Sequence, residues 1–174
     1  MIQTAFAILV IFNLYIFVYP QKAVDDGAKY VGYEYVGVVL DTTLPNGVKH
    51  LGGGLIGDIE ADPVYGIAQV SKGNLRMLWF EVSTGRDSKG VKGWKVMDVL
   101  AFPNPAKSDY IFFYGDPSIE CLRNGKDVPN LVGVGRINAS RGIFKLSKVW
   151  TADIHTRRFQ TVAMTNLKCV YSEP

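Results

Sequence analysis

Short runs of alternating apolar and polar residues, separated by glycine, proline and asparagine, extend along most of the chain. Such alternation, with many β-branched and aromatic side chains, is typical of strands. It predicts strands at Lys29–Leu40, Val64–Val70, Leu75–Val82, Gly93–Phe102, Asp109–Gly115, Leu131–Asn138, Ile143–Ile154, Phe159–Met164 and in the closing NLKCVYS. About eight short strands at this spacing favour an all-β fold, either an antiparallel sandwich or a barrel.

The segment LRMLWFEV, from Leu75 to Val82, is apolar on both of its alternating faces. Leu78 and Phe80 share one face, and Met77 and Trp79 share the other. This pattern predicts a central strand that is covered on both sides. A short helix is most plausible at Pro117–Leu122, where the alternation is interrupted.

The N-terminal segment, residues 1–23, is apolar from Ala5 to Tyr19 except for Asn13. An apolar helix of this length is typical of a signal peptide core and is short for a membrane span. We therefore expect a signal peptide that is cleaved after Ala23, with an uncleaved membrane anchor as the alternative and a buried helix as the third possibility. Either of the first two interpretations places the remainder, residues 24–174, outside the cytoplasm as a single β domain, periplasmic, secreted or membrane-anchored.

The chain has two cysteines, Cys121 and Cys169, and they form no C-x-x-C pattern of a redox or zinc site. In an exported protein the economical interpretation is one structural disulfide between them. It would close a loop of 48 residues. A bond of this kind adds roughly 3–4 kcal/mol on a chain-entropy argument.

The order GWKVMDVLAFP, IECLRNGKDVPNLVGVG and KVWTADIHTRRFQTVAMTNLKCVYSEP covers the chain from Gly93 to its end. It resembles a family of uncharacterised secreted or periplasmic proteins of Gram-negative bacteria. In that family a C-R-x-N-G-K-type turn precedes a V-W-x-A-x-x-x-T-x-x-F strand pair and a second cysteine. The resemblance implies export, a Cys121–Cys169 disulfide and a β fold. It implies no activity and no site residues.

The stretch HLGGGLIGDIEADP, from His50 to Pro63, contains a G-x-G-x-x-G match. No amphipathic helix follows it, so a nucleotide loop is not expected, and no cofactor is expected either. We instead expect a mobile glycine-rich connection, as a loop or a hairpin edge. In an extended chain, Asp58, Glu60 and Asp62 would share one face as weak candidates for a Ca²⁺ or Mg²⁺ site.

Asp153 and His155 are spaced so that they would share a strand face, and they are weak candidates for a catalytic pair. No G-x-S-x-G motif marks a nucleophile for them. A small hydrolase is therefore an alternative hypothesis, and a histidine at a hairpin turn is the simpler interpretation.

The charge distribution suggests a binding role instead. Between Arg136 and Lys168 seven basic residues accompany one acidic residue. Within this basic third, the expected binding residues are Lys145, Lys148, Arg157 and Arg158. The leading hypothesis is a non-enzymatic binding or accessory protein of the bacterial envelope, whose partner is an envelope protein or an anionic surface. No nucleic acid is expected, and a membrane contact is expected only through an uncleaved N-terminal segment.

Aromatic residues allow a further alternative, a β-barrel that carries a small apolar ligand. Trp79, Trp94 and Trp150 lie on three predicted strands, and several tyrosines lie on the first strand predicted in the chain, Lys29–Leu40. Such residues line ligand pockets in some proteins, but they are more often part of the core. Glu81 is a carboxylate within an otherwise apolar strand.

Overall fold

A computed structural model of the protein describes residues 27–37, 43–58 and 60–172. These residues form twelve strands and a short 3-10 helix at Ala139–Arg141. The strands are β1 Glu34–Val36, β2 Lys49–Ile56, β3 Tyr65–Lys72, β4 Leu75–Arg86, β5 Lys92–Pro103, β6 Asp109–Phe112, β7 Ile119–Arg123, β8 Lys126–Asp127, β9 Leu131–Asn138, β10 Ile143–Asp153, β11 Arg158–Thr161 and β12 Leu167–Tyr171.

The strands form two antiparallel sheets. Sheet A has the order β1-β5-β4-β3-β2, and sheet B has the order β6-β9-β10-β12-β7-β8, with β11 paired to β10. Neither sheet closes on itself within the described residues. The all-β prediction is confirmed, and of its two alternatives the arrangement is sandwich-like rather than a barrel.

The two sheets pack face to face through one apolar core. Sheet A contributes Ile67, Leu78 and Phe80, and sheet B contributes Val132 and Ala152. Aromatic rings extend the contact: the ring centroids of Phe80 and Phe159 are 5.7 Å apart, and those of Phe102 and Trp150 are 5.9 Å apart. Side chains from both inner faces thus exclude water from the space between the sheets.

The opposite, outer face of sheet A is also apolar. Met77 and Trp79 of β4 lie there, buried beneath Tyr30 and Val48. The Tyr30 and Trp79 ring centroids are 5.3 Å apart. Strand β4 is therefore the central, doubly covered strand that its alternation predicts.

The second face of sheet B holds a separate core, which includes the disulfide. Cys121 of β7 and Cys169 of β12 are directly opposite each other in the ladder and are bonded. Phe112 and Phe144 pack edge to face in the same cluster, 5.3 Å apart. The expected disulfide is confirmed, and such bonds are typical of oxidising compartments.

Several sequence predictions need correction or lie outside the described residues. The predicted helix at Pro117–Leu122 is wrong, because Ile119–Arg123 pairs with β12 as strand β7. In the predicted strand Lys29–Leu40, the described part is extended only over Glu34–Val36, and Tyr30 lies in a preceding turn. The predicted N-terminal helix, within residues 1–23, lies outside the described residues. Within the described part of the chain, no helix is long and apolar enough to cross a bilayer.

Replacing both cysteines by alanine is expected to lower the free energy of unfolding by about 3–4 kcal/mol, because the unfolded chain regains the freedom of a 48-residue loop. Urea denaturation of the double variant beside the oxidised and reduced wild type measures the change. The reduced wild type serves as the control for side-chain loss. If the urea midpoint of the double variant and that of the reduced wild type both equal that of the oxidised wild type, the disulfide has no stabilising role.

Candidate functional site

The glycine-rich stretch forms a strand. His50 to Ile56 belong to β2, which pairs with β3 at the edge of sheet A. The expected mobile loop is therefore wrong, and the expected hairpin edge is confirmed. A Cβ on Gly53 would collide with the carbonyl oxygen of Ile67, so close approach of β3 requires glycine at this position. At Gly52 a Cβ would meet nothing within 4 Å, so this position leaves open space beside the strand.

A cavity of about 750 Å³ occupies this space. Small-molecule sites commonly measure roughly 300–1,000 Å³. Its wall is mostly apolar and includes Leu44, Leu51, Leu55 and Trp94. The polar side chains that reach it include Tyr35, His50, Glu81 and Lys92. We call this space, bounded by Gly52–Gly54 and Glu81, the glycine cavity.

Glu81 is the most buried ionisable group of this cavity, with 6% of its surface exposed. The alternation of β4 places it on the same face as Met77 and Trp79. It lies directly opposite Gly66 of β3, which has no side chain to occupy the space. A Cβ on Gly66 would lie 3.4 Å from Oε1 of Glu81 and 3.4 Å from the Trp94 ring. Gly66 thus makes room for a carboxyl on the outer face of the sheet.

Tyr35 of β1 provides the hydrogen bond that Glu81 receives. Its hydroxyl donates to Oε2 of Glu81 over 2.6 Å. No other hydrogen bond to this carboxyl is found among the described residues. The ion pairs of the described part, Lys95–Glu34 and Arg136–Asp109, do not include it. In the described part of the chain, this buried carboxyl therefore has one oxygen hydrogen-bonded and no ion-pair partner.

Burial raises the pKa of Glu81 from 4.5 to about 7, and the hydrogen bond from Tyr35 partly opposes this rise. Burial also raises the pKa of the Tyr35 hydroxyl, and the nearby Glu81 charge adds to that effect. Near neutral pH, the Glu81 carboxyl exists in both protonated and ionised forms. It is thus able to donate or to accept a hydrogen bond, a property common in functional sites.

Lys92 and Trp94 of β5 lie at the same cavity. The Lys92 ammonium is 5.8 Å from the centroid of the Trp94 ring, a cation–π distance. Trp94 is itself buried and faces Tyr35 across the ladder. The cavity therefore already places one cation against an aromatic face.

The acidic residues after the glycines do not form the expected row. The Asp58 side chain accepts a hydrogen bond from the Glu60 backbone N–H over 2.9 Å, and the Ala61 N–H donates to the Asp58 carbonyl over 3.2 Å. These bonds turn the backbone, so Asp58, Glu60 and Asp62 are exposed in a turn instead of sharing one extended face. Among the described residues, no three His, Cys, Asp or Glu side chains are grouped to hold a metal ion.

Asp153 and His155 lie in the turn between β10 and β11. The Asp153 carboxylate accepts hydrogen bonds from the His155 backbone N–H over 2.9 Å, from the Thr156 hydroxyl over 2.9 Å and from the Gln160 amide over 2.6 Å. The backbone bond from His155 is the largest of the effects that lower the pKa of Asp153. These contacts stabilise the turn, and they disfavour Asp153 as a base because its ionised form is stabilised.

The four predicted binding residues are exposed but do not form one cluster. Lys145 and Lys148 lie along β10, whereas Arg157 and Arg158 lie beyond its end, where Asp153 pairs with Arg158. Five residues of strand separate Lys148 from Asp153, about 16 Å at the usual rise. A contact to an anionic partner through these residues stays a prediction.

Comparisons with protein-family models, with curated proteins and with solved structures find no match. Sequence reasoning had placed Glu81 inside an apolar strand without assigning it a role. The signal that marks it is the carboxylate on the Met77 and Trp79 face of a doubly buried strand.

Glu81→Gln is expected to change how stability depends on pH. The folded protein holds a proton on Glu81 up to about pH 7, whereas an unfolded glutamate loses it near 4.5. The carboxyl therefore costs least below about pH 4.5, and the free energy of unfolding falls as the pH rises from about 4.5 to about 7. Between these two pH values the free energy of unfolding of the wild type should fall by about 3 kcal/mol relative to that of Glu81→Gln. Urea unfolding at a series of pH values measures the difference. Glu120→Gln, at an exposed position, is the control for the charge change. If the stability difference between the wild type and Glu81→Gln does not change with pH, Glu81 does not have a raised pKa.

Tyr35→Phe is expected to move this pH transition upward. The variant loses the hydrogen bond that lowers the pKa of Glu81, so the carboxyl keeps its proton to a higher pH. The transition is measured as the stability difference between Tyr35→Phe and the Tyr35→Phe/Glu81→Gln double variant. A transition at unchanged or lower pH would show that the hydroxyl does not stabilise the carboxylate.

Proposed function

We propose that this protein is a non-enzymatic binding protein that holds a small, largely apolar ligand in the glycine cavity. One observation carries the proposal: a carboxyl with 6% exposure, which accepts one hydrogen bond from the described residues, lines a cavity of about 750 Å³. Ligand sites typically combine apolar walls with a few convergent polar groups and perturbed ionisable residues. The glycine cavity has each of these features.

Its place of action is proposed to be the bacterial envelope or the extracellular space. The Cys121–Cys169 disulfide supports an oxidising compartment. The apolar N-terminal sequence supports export, as does the resemblance of the C-terminal half to secreted or periplasmic proteins. A periplasmic or secreted binding protein is consistent with these features.

Binding in the cavity is better supported than the hydrolase hypothesis. Asp153 is held by turn hydrogen bonds, and its pKa is lowered. The basic residues of β10 and β11 are exposed and do not line the glycine cavity. They stay candidates for contact with an envelope partner, alongside the ligand cavity.

Leu55→Lys is expected to weaken binding of an uncharged apolar dye such as N-phenylnaphthylamine by at least about tenfold. Leu55 lines the cavity and is 46% exposed, so a lysine is tolerated but adds a hydrated charge to the wall. Fluorescence titration measures the affinity, and urea unfolding confirms that stability is retained within about 0.5 kcal/mol.

Val170→Lys is the matched control, because Val170 is 47% exposed and lies on β12, away from the cavity. It should bind the dye like the wild type. If the wild type fails to bind the dye, or if both variants lose binding equally, the glycine cavity is not the ligand site.

A further inference from the structure

We infer that the ligand is an organic ammonium compound, with one positively charged nitrogen beside Glu81 and an apolar body along β2. This inference rests on the proposed function and specifies its ligand class. It depends on three features of the glycine cavity: a buried carboxyl that has no ion-pair partner among the described residues, aromatic faces around it and apolar walls beyond it.

The first feature is charge complementarity. An ionised carboxylate in a buried place is costly unless a cation or several hydrogen bonds compensate it. Glu81 receives one bond, from Tyr35 to Oε2, and no described residue forms an ion pair with it. An ammonium group carries three donors and one positive charge. It would satisfy Oε1 and stabilise the ionised form of the carboxyl.

The second feature is the aromatic surround. The rings of Tyr35 and Trp94 line the cavity at the level of Glu81. The Lys92 ammonium lies 5.8 Å from the Trp94 ring centroid, so this aromatic face already accommodates a cation. Cations interact favourably with such faces, most of all where water is excluded. The same end of the cavity therefore combines a carboxyl with aromatic rings, as sites for organic ammonium groups do.

The third feature limits the shape and charge of the ligand. Leu44, Leu51 and Leu55 form apolar walls, which favour an alkyl or aryl body over a sugar. The titratable groups that line the glycine cavity together with Glu81 are Tyr35 from β1, His50 from β2 and Lys92 from β5, whereas β3 places Gly66, which has no side chain, opposite Glu81. Lys92, and His50 when protonated, would repel additional positive charges. One ammonium group on an apolar body thus fits better than a polyamine.

Three probes of matched length separate charge from hydrophobicity: octylammonium, octanol and octanoate. Isothermal titration calorimetry at about pH 8, where Glu81 is mostly ionised, should show octylammonium binding the wild type at least about tenfold more tightly than octanol. Octanoate should bind more weakly than either. In Glu81→Gln, the preference for octylammonium over octanol should disappear while octanol still binds.

Glu120→Gln carries the same charge change at an exposed site and should keep the wild-type preference. Urea unfolding of each variant verifies that it is folded. If octanol binds as tightly as octylammonium, if octanoate binds most tightly, or if Glu81→Gln keeps the preference, the inference is wrong while the cavity remains a ligand site. If none of the probes and no apolar dye binds, the proposed function fails with it.

Discussion

Strand β4 is apolar on both faces, and this constraint determines how the molecule is built around sheet A. One face, with Leu78 and Phe80, requires cover and receives it from sheet B. The other face, with Met77 and Trp79, is covered by Tyr30 and Val48. Burial of both faces removes from water the large side chains that contribute most to stability. An ionisable residue within the doubly covered part of β4, Met77–Val82, is therefore buried as well, and Glu81 is such a residue.

The glycines of β2 and β3 determine what surrounds that carboxyl. A Cβ at Gly66 of β3 would lie 3.4 Å from Glu81 and from the Trp94 ring, and a Cβ at Gly52 of β2 would meet nothing within 4 Å. Without side chains at these two positions, the outer face of sheet A is open beside Glu81 instead of closed by packing. The carboxyl thus faces a cavity in a low-dielectric surrounding, where its charge interacts strongly with any bound cation. Tyr35 stabilises the ionised form only in part, which leaves a place for a second donor.

The alternation of the sequence was sufficient to predict the fold class, the central position of β4 and many of the strands, because these depend on local periodicity. The prediction failed at β2, since three consecutive glycines argue locally against a strand. This segment is a strand because it pairs with β3 and approaches the Ile67 backbone closely, and both contacts are non-local. The same holds for β7, because its partner strand β12 is distant in the sequence. The disulfide that joins the two strands links cysteines 48 positions apart.

The candidate site was less predictable than the fold. Asp58, Glu60 and Asp62 share a face only in an extended chain, and local hydrogen bonds turn that chain instead. Asp153 likewise bonds to its own turn. Glu81 has no motif around it, and its hydrogen-bond partner Tyr35 lies 46 residues away on an edge strand. Its burial could be anticipated from the alternation of β4, but its cavity depends on glycines contributed by two other strands.

The central claim is that Glu81 is a buried carboxyl that titrates near neutral pH beside an open cavity. The carboxyl carbon chemical shifts of the labelled glutamates, followed by NMR across a pH series, measure this directly. The account predicts that one resonance, absent from Glu81→Gln, has a pKa of about 7 and moves to a lower pKa when octylammonium is added. A Glu81 resonance that titrates near 4.5, as an exposed glutamate does, would contradict it.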